Sequence, residues 1–389
     1  MTSARAVAGA TAGRSVIFLH PSDEAYGADR VLLMMAAGLN ARGHRVTVLL
    51  SDDQPPGWLS EQLTEAGIDV RRGPLAPARR RYLHGAAMPE YGRALLAARR
   101  FIHGEARRVR ADVIHVNTSA LLVAAVLGRP GGAGLVWHIH EIVERPSPAA
   151  WAFRAAPALA ADRVIAISEA VAAHIGPNLP GQGRRVVVIP NGLEPLATMP
   201  PRPPRDEPVA VFLGRLNRWK GQEIFLEAAV RLAPEFPGSR FIIAGDPPQG
   251  EEWRAEDLQR RIDAAGLDGS VRLAGFVDDS ATFFAGADVA VVPSTWPEPF
   301  GLVIIEAMRV GTPVVATNHG GATEIIHHGR DGYLIEPGDV GEVAAAVRRI
   351  FRGPALRDRL GAAGVVTAAR YTAEAFVDAI ERCHAEVAR

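Results

Sequence analysis

The chain has 389 residues, 48% of them apolar and 22% charged, and its 43 basic side chains balance 43 acidic ones. That is ordinary globular composition at a length that suits two or three domains. No run of eighteen or more consecutive apolar residues occurs, which excludes a spanning helix, and the single cysteine, Cys383, excludes an intramolecular disulfide framework and fits a reducing compartment.

Residues 1–14 are rich in Ala, Gly, Thr and Ser without a Leu/Ile core, and are expected to form a disordered tail, not a secretory signal. On that reading the protein is cytoplasmic. From residue 15 onward, short apolar runs alternate with stretches of helical period, the pattern of parallel α/β domains. Strands are expected at 16–20, 46–50, 113–116, 135–139, 163–167 and 186–189, with helices over 28–41, 91–110 and 149–159. Pro195, Pro200, Pro201, Pro203, Pro204 and Pro208 then crowd together, a density that forbids regular elements and stiffens a linker. A second series follows, with strands at 209–213, 240–244, 271–273, 289–292, 313–316 and 332–335. Its helices are expected at 222–232, 255–265, 302–310, 340–351 and 373–387. The resulting plan is a tail (1–14), a first doubly wound domain (15–192), a linker (193–208), a second doubly wound domain (209–371) and a final helix (372–389) able to cross back to the first. Two such domains imply a central cleft with ligands at the carboxyl ends of the strands.

Charge is unevenly spread. Residues 1–190 hold 22 Arg against 15 Asp and Glu, whereas 191–389 hold 21 Arg and Lys against 28 Asp and Glu. The N-terminal excess includes Arg71, Arg72, Arg79, Arg80, Arg81, Arg99, Arg100, Arg107, Arg108 and Arg110. Such a patch can touch anionic lipid or an anionic acceptor, and a charge-rich amphipathic helix can equally be a solvated face. No nucleic-acid partner is expected.

Among the 43 basic residues, only Lys220 is a lysine. A compact ammonium differs from the flat guanidinium fork, and a phosphate site at a strand end is where that difference counts. No Gly-x-Gly-x-x-Gly follows an expected strand and no P-loop is present, so dinucleotide and P-loop binding are disfavoured. His138 and His140 are expected on opposite faces of a strand, as poor joint metal ligands.

The most specific stretch is Pro293-Ser294-Thr295-Trp296-Pro297-Glu298-Pro299-Phe300-Gly301-Leu302-Val303-Ile304-Ile305-Glu306. Pro297 and Pro299 hold Glu298 extended, and Gly301 opens a helix whose first amides, on Gly301, Leu302 and Val303, form an anion site. Glu306 falls about one and a half turns into that helix. One carboxylate at the loop and one on the helix can hold two hydroxyl-bearing parts of one ligand, with a diphosphate between them.

With these residues in hand, the chain resembles a family 4 glycosyltransferase of the group 1 type, with two Rossmann-like domains in the GT-B arrangement. The resemblance runs through Gly27, His140-Glu141, Ser168-Glu169-Ala170, Pro190-Asn191-Gly192 and Gly214-Arg215-Leu216…Lys220-Gly221. It continues through Ala244-Gly245-Asp246, Gly275-Phe276-Val277, the Glu298-x7-Glu306 segment and Gly320-Gly321-Ala322-Thr323-Glu324. It implies transfer of a hexose-type sugar from a nucleotide-diphosphate donor to a hydroxyl of a glycan, lipid-linked or small-metabolite acceptor. By the same resemblance the transfer retains configuration and needs no metal or other cofactor. The first domain would be the acceptor side and the second would bind the nucleotide sugar. Arg215 and Lys220 would bind the diphosphate, Glu298 the sugar hydroxyls, Glu306 the ribose, and groups near Gly275, Phe276 and Val277 the base. Gly214, Phe300, Gly301, Leu302 and Val303 would line the donor site, His140 would lie near the reacting carbon, and Gly27 would allow close approach. Domain closure would assemble His140 with the two cations and exclude water.

Three departures stand out: Tyr26-Gly27 in place of Gly-Gly, Gly245-Asp246-Pro247-Pro248 in place of Gly-Asp-Gly-Pro, and Glu141 in place of Asp. None removes a charge needed at the diphosphate. Asp23, Glu24 and Asp29 can position an acceptor or solvate the loop, and Glu324 is expected to cap or anchor its helix. A nucleotide-sugar epimerase of the same fold and a non-catalytic nucleotide-sugar-binding protein are the competing readings. A peripheral contact of the basic domain with the membrane is a further expectation, and so is a place in cell-envelope polysaccharide synthesis.

Overall fold

Apolar runs without alternation belong to strands covered on both faces, and that is how these runs are used. The computed structural model of the protein describes residues 13–79, 82, 88–143, 148–175, 185–204 and 206–388. The expected tail therefore lies outside the described residues up to position 12, as do Arg80 and Arg81. The chain divides into two units. The first comprises Met1–Ala166, Ala172–Ile189 and Ala373–Arg389, and the second Ile167–Val171 and Pro190–Thr372.

The first unit runs β1 (Ser15–His20), α1 (Gly27–Ala41), β2 (Arg45–Ser51), α2 (Trp58–Glu65), β3 (Asp69–Gly73), α3 (Met88–Val109), β4 (Val113–Val116), α4 (Val123–Leu127), β5 (Gly134–Ile139), α5 (Pro148–Ala160), β6 (Arg163–Ala166), α6 (Glu169–Ile175, whose first three residues group with the second unit) and β7 (Val186–Val188). Its sheet is parallel in the order β3-β2-β1-β4-β5-β6-β7. β1, β4 and β5 are buried along their whole length. The order reverses between β1 and β4, and the chain leaves both strands at their carboxyl ends there, which makes the crevice that α/β folds use for ligands.

β3 was not expected from its sequence. Asp69-Val70-Arg71-Arg72-Gly73 reads as charge, but the strand pairs with β2 and turns its arginines into structural groups. Arg72 reaches Asp23 at 2.5 Å and Arg71 pairs with Asp69 at 3.1 Å. Arg108 joins Asp69 and Glu105, both at 2.7 Å, and Arg79 pairs with Asp53. Several arginines of the basic patch are thus tied to carboxylates. Asp23 accepts from the amides of Gly57 and Ser60 at 3.0 and 2.8 Å, so it holds the start of α2.

The second unit continues with β8 (Val209–Leu213), α7 (Gln222–Leu232), β9 (Arg240–Ala244), α8 (Trp253–Ala264), β10 (Val271–Gly275), α9 (Ser280–Ala285), β11 (Val289–Val292), α10 (Leu302–Arg309), β12 (Val314–Thr317), α11 (Ala322–Ile325), β13 (Gly332–Ile335), α12 (Val340–Arg352) and α13 (Pro354–Ala368). Its sheet is parallel in the order β10-β9-β8-β11-β12-β13, with the reversal between β8 and β11. Phe212, Phe225, Phe241, Val291, Val315, Val347 and Leu360 form the centre of its core. The proline-rich segment is irregular, and Arg202 within it is tied to Asp288 at 2.6 Å. α13 was not expected, because its Ala- and Gly-rich sequence carries no apolar stripe. The last helix, α14 (Ala373–Val387), groups with the first unit and buries Phe376, Val377, Ile380, Cys383 and His384. Burial drives the Cys383 thiol up to about 12, so it is no nucleophile.

Candidate active site

In the second unit, the loops after β8 and β11 leave the sheet on either side of the reversal, and they bring Lys220 to Glu298. The Lys220 ammonium stands 2.8 and 2.9 Å from the two carboxylate oxygens of Glu298. The pair is well shielded, with side chains 16% and 9% exposed. Ser294 donates its hydroxyl to Glu298 Oε2 at 2.9 Å, and the ammonium lies 4.3 Å from the Trp219 ring centre. A shielded ion pair needs its remaining polar capacity met: the Ser294 hydroxyl serves Glu298, and the Trp219 ring adds a cation–π contact for the ammonium.

Two close backbone approaches fix the pair. Gly221, next to Lys220, has φ 80°, and a Cβ there would fall 2.0 Å from the Pro293 carbonyl oxygen. Gly320 has φ 62°, and a Cβ would fall 2.3 Å from the Glu298 carbonyl oxygen, which accepts from the Gly321 amide at 2.7 Å. Glycine is the residue that tolerates both the conformation and the contact. The turn before Lys220 is closed by Asn217, whose Oδ1 accepts from the amides of Trp219 and Lys220, both at 3.2 Å. Arg215 and Gly214 follow β8 directly and are half-buried, and the Gly214 amide donates to the Ala244 carbonyl at 3.0 Å.

Gly301 takes φ 102° as the residue before α10, so that Leu302 and Val303, both half-buried, form the first turn. Phe300 is buried, its ring edge-on to Tyr371 at 5.6 Å. It packs the loop and offers the site backbone only. Glu306 lies half-buried on α10, its charge felt by Arg309. Gly275 ends β10, and Phe276 beyond it is 43% exposed for so large an apolar ring, with Val277 half-buried. Glu324 holds a helix other than its own: its oxygens accept from the amides of Glu169 and Ala170, both at 2.9 Å, residues that group with it in the second unit.

In the first unit, His140 follows β5 and is 9% exposed. Its Nε2 lies 2.9 Å from Asn117 Oδ1. Burial drives His140 down to about 3, with the nearby His20 pushing the same way and Asp29 opposing, so the ring is neutral. The expectation that His138 and His140 point to opposite faces does not hold, because positions two apart along a strand share a face. Their ring centres are 4.2 Å apart. His138 belongs to a buried row in which His115 bonds to His138 at 3.2 Å and to His384 at 2.8 Å. Glu141 accepts from the Thr118 hydroxyl at 2.5 Å and the Ser119 amide at 3.1 Å, so it fixes the loop after β4. Gly27 is the exposed first residue of α1, not a member of the preceding loop.

Sequence reasoning did not single out Ser294, Asn217, Trp219, Asn117 or His20. Asn217 alone carried a local signal, a turn-forming residue three positions before the lysine. The others became visible only when separate loops met.

Comparison with known proteins fits this geometry. Residues 25–195 match the family described as Glycosyltransferase Family 4, and residues 199–367 match the Glycosyl transferases group 1 family. An alpha-D-kanosaminyltransferase of Streptomyces kanamyceticus is 32% identical over 185 residues, 47% of this chain and 46% of that protein. A phosphatidyl-myo-inositol mannosyltransferase of Mycobacterium leprae is 33% identical over 213 residues, 53% of this chain and 55% of the relative. The chain thus spans about half the length of the curated relatives it matches. The crystal structure of HepE from Anabaena, in complex with UDP-glucose, covers 96% of this chain and 100% of its own at 25% identity, with a TM-score of 0.79. Two parallel doubly wound units of the GT-B type, matched in turn by both family descriptions, place the chain in glycosyltransferase family 4.

Proposed function

We propose that the protein transfers a hexose-type sugar from a nucleoside-diphosphate donor to an acceptor hydroxyl, with retention of configuration and without a metal. The observation that carries this reading is the Lys220–Glu298 pair at the reversal of the second sheet. Lys220 and Arg215 meet the charge that builds on the departing diphosphate, helped by the first amides of α10. Glu298 holds sugar hydroxyls and Glu306 ribose hydroxyls, and the exposed Phe276 with Val277 meets the base. No carboxylate in the site is read as a nucleophile, so the departing phosphate itself takes the acceptor proton.

HepE was crystallised with UDP-glucose, which makes UDP-glucose the first donor to try. The curated relatives are named for a kanosaminyl and a mannosyl transfer, which supports a glycosylated metabolite and a lipid-linked cell-envelope glycan equally as acceptor classes. Contact with anionic lipid is part of the proposal, since Met88 and Leu96 are 57% and 56% exposed on α3 beside the exposed Arg93, Arg99 and Arg100. Among the described residues no helix is long and apolar enough to cross a membrane.

The test screens nucleoside diphosphates for thermal stabilisation, then follows the product of the matching sugar donor by NMR in the presence of EDTA. Stabilisation by one base and a product of unchanged anomeric configuration are expected. Donor epimerised without transfer, or bound without turnover, would transfer the assignment to an epimerase or a binding protein.

A further inference from the structure

Lys220 and Glu298 meet across two loops that are pinned to each other. The Trp219 carbonyl accepts from the Thr295 amide at 2.7 Å, the backbone at Gly221 lies against the Pro293 carbonyl, and the Glu298 carbonyl accepts from the Gly321 amide at 2.7 Å. What can move is the lysine side chain, on its flexible four-carbon stem. Its ammonium has three N–H bonds to give. Both oxygens of Glu298 lie within 2.9 Å of it, and the Trp219 ring centre is 4.3 Å away. A diphosphate spreads its charge over several oxygens and calls for more than the one N–H that is left.

Glu298 is in the harder position of the two. It is buried, and among the described residues the Ser294 hydroxyl at 2.9 Å is its one other side-chain donor. If Lys220 turns to a diphosphate, the carboxylate keeps a single hydroxyl for two oxygens and faces the incoming negative charge at close range. A shielded charge that loses its partner is costly unless new donors replace it. The hydroxyls of a sugar are such donors. A nucleoside diphosphate brings the anion without them, and a free sugar brings them without an anion.

We propose that the Lys220–Glu298 pair selects the intact nucleotide sugar against the free nucleoside diphosphate, because only a ligand carrying both an anion and hydroxyl donors satisfies the two side chains at once. This rests on the glycosyltransferase reading, which supplies the ligand. It adds that the two residues act through each other, not on separate parts of the donor. Specificity of this kind comes from what the wrong ligand leaves unpaired. It also favours release of the nucleoside diphosphate after transfer, since the carboxylate then loses its hydroxyls and takes Lys220 back.

Equilibrium binding tests this with no need of turnover. UDP and UDP-glucose are titrated calorimetrically into wild type, Glu298→Gln and Ser294→Ala, followed by other nucleoside diphosphates and their glucose esters if UDP does not bind. Wild type is expected to bind the nucleotide sugar about tenfold or more tightly than the nucleoside diphosphate. Glu298→Gln removes the stranded charge, so its affinity for the nucleoside diphosphate should rise about tenfold, and the preference should shrink toward one. Ser294→Ala strips the carboxylate of its remaining donor, and should weaken the nucleoside diphosphate roughly fivefold more than the nucleotide sugar. The two variants thus move one affinity in opposite directions, which general damage to the site would not do.

Lys220 is the only lysine, so protein labelled with nitrogen-15 lysine gives one side-chain ammonium signal. Its position in the protein alone is expected to change in Glu298→Gln. A signal unmoved by that substitution overturns the proposal and leaves the glycosyltransferase reading standing. So does equal affinity of wild type for the two ligands, or a nucleoside diphosphate bound no more tightly by Glu298→Gln than by wild type. Binding of no nucleoside diphosphate by any of the three proteins overturns that reading, and the proposal with it.

Discussion

Lys220 is the one lysine among 43 basic residues, and its ammonium is closely surrounded. It approaches both oxygens of Glu298 within 2.9 Å while lying against Trp219, in a turn held by Asn217 and pressed against Pro293 through Gly221. A planar fork is longer and wider, and would have to displace the Trp219 ring or leave the ion pair. Lys220→Arg, conservative elsewhere in this chain, is expected to lower kcat/KM by about tenfold or more, measured against the preferred donor. Full activity in that variant would mean that the lone lysine is an accident of codon usage. Composition and the distance to Arg215 were enough to single this residue out in the sequence. Its partner was not legible, because Glu298 lies 78 positions later and only folding makes them neighbours.

At the scale of elements, the strands were legible because buried parallel strands are continuous apolar runs. β8, β9, β11 and β13 carry the expected bounds unchanged. β3 was hidden because its sequence reads as charge: Arg71 is paired inside the strand with Asp69, and Arg72 with the distant Asp23, a pairing that is not written in local sequence. The buried histidine row was hidden for a similar reason: β4, β5 and α14 each contribute one ring, with His384 coming from the far end of the chain. Among the described residues His138 Nε2 and His384 Nδ1 have no hydrogen-bond partner, so a proton arriving at either end brings an unsolvated charge.

That arrangement has a pH consequence. Burial drives His384 and His140 down to about 3, and His115 and His138 well below the ordinary value of 6.5. The unfolded chain therefore binds more protons than the folded one below 6.5. Their stabilising contribution is complete above that pH and falls as the pH drops toward the folded values, by up to ~1.4 kcal/mol per pH unit for each ring. Calorimetry should show the melting of the first unit moving down between pH 7 and 5.5. His384→Leu should flatten that slope. A melting temperature independent of pH across this window would contradict the burial of the row.

For the whole molecule, the plan of two doubly wound units was legible from two series of apolar runs separated by prolines. In the second unit Arg215, Lys220, Glu298 and Glu306 lie beyond the carboxyl ends of β8 and β11, the strands that flank its reversal, while Phe276 and Val277 follow the edge strand β10; in the first unit Gly27 lies beyond β1. His140, one strand further along, is reached from the first reversal through Asn117. The identity of base, sugar and acceptor was not legible, since backbone shape in the loops decides it and no single residue type encodes it. Zero net charge likewise conceals two halves of opposite sign, a difference that bears on partners more than on fold.

The central claim is that Lys220 stabilises a departing nucleoside diphosphate. The most direct measurement is single-turnover sugar transfer from the preferred donor by wild type and Lys220→Ala, with donor binding measured in parallel. The account predicts a rate loss of about 10²–10³ in the variant, together with weakened binding of the diphosphate. Transfer at the wild-type rate with unchanged donor affinity would contradict it.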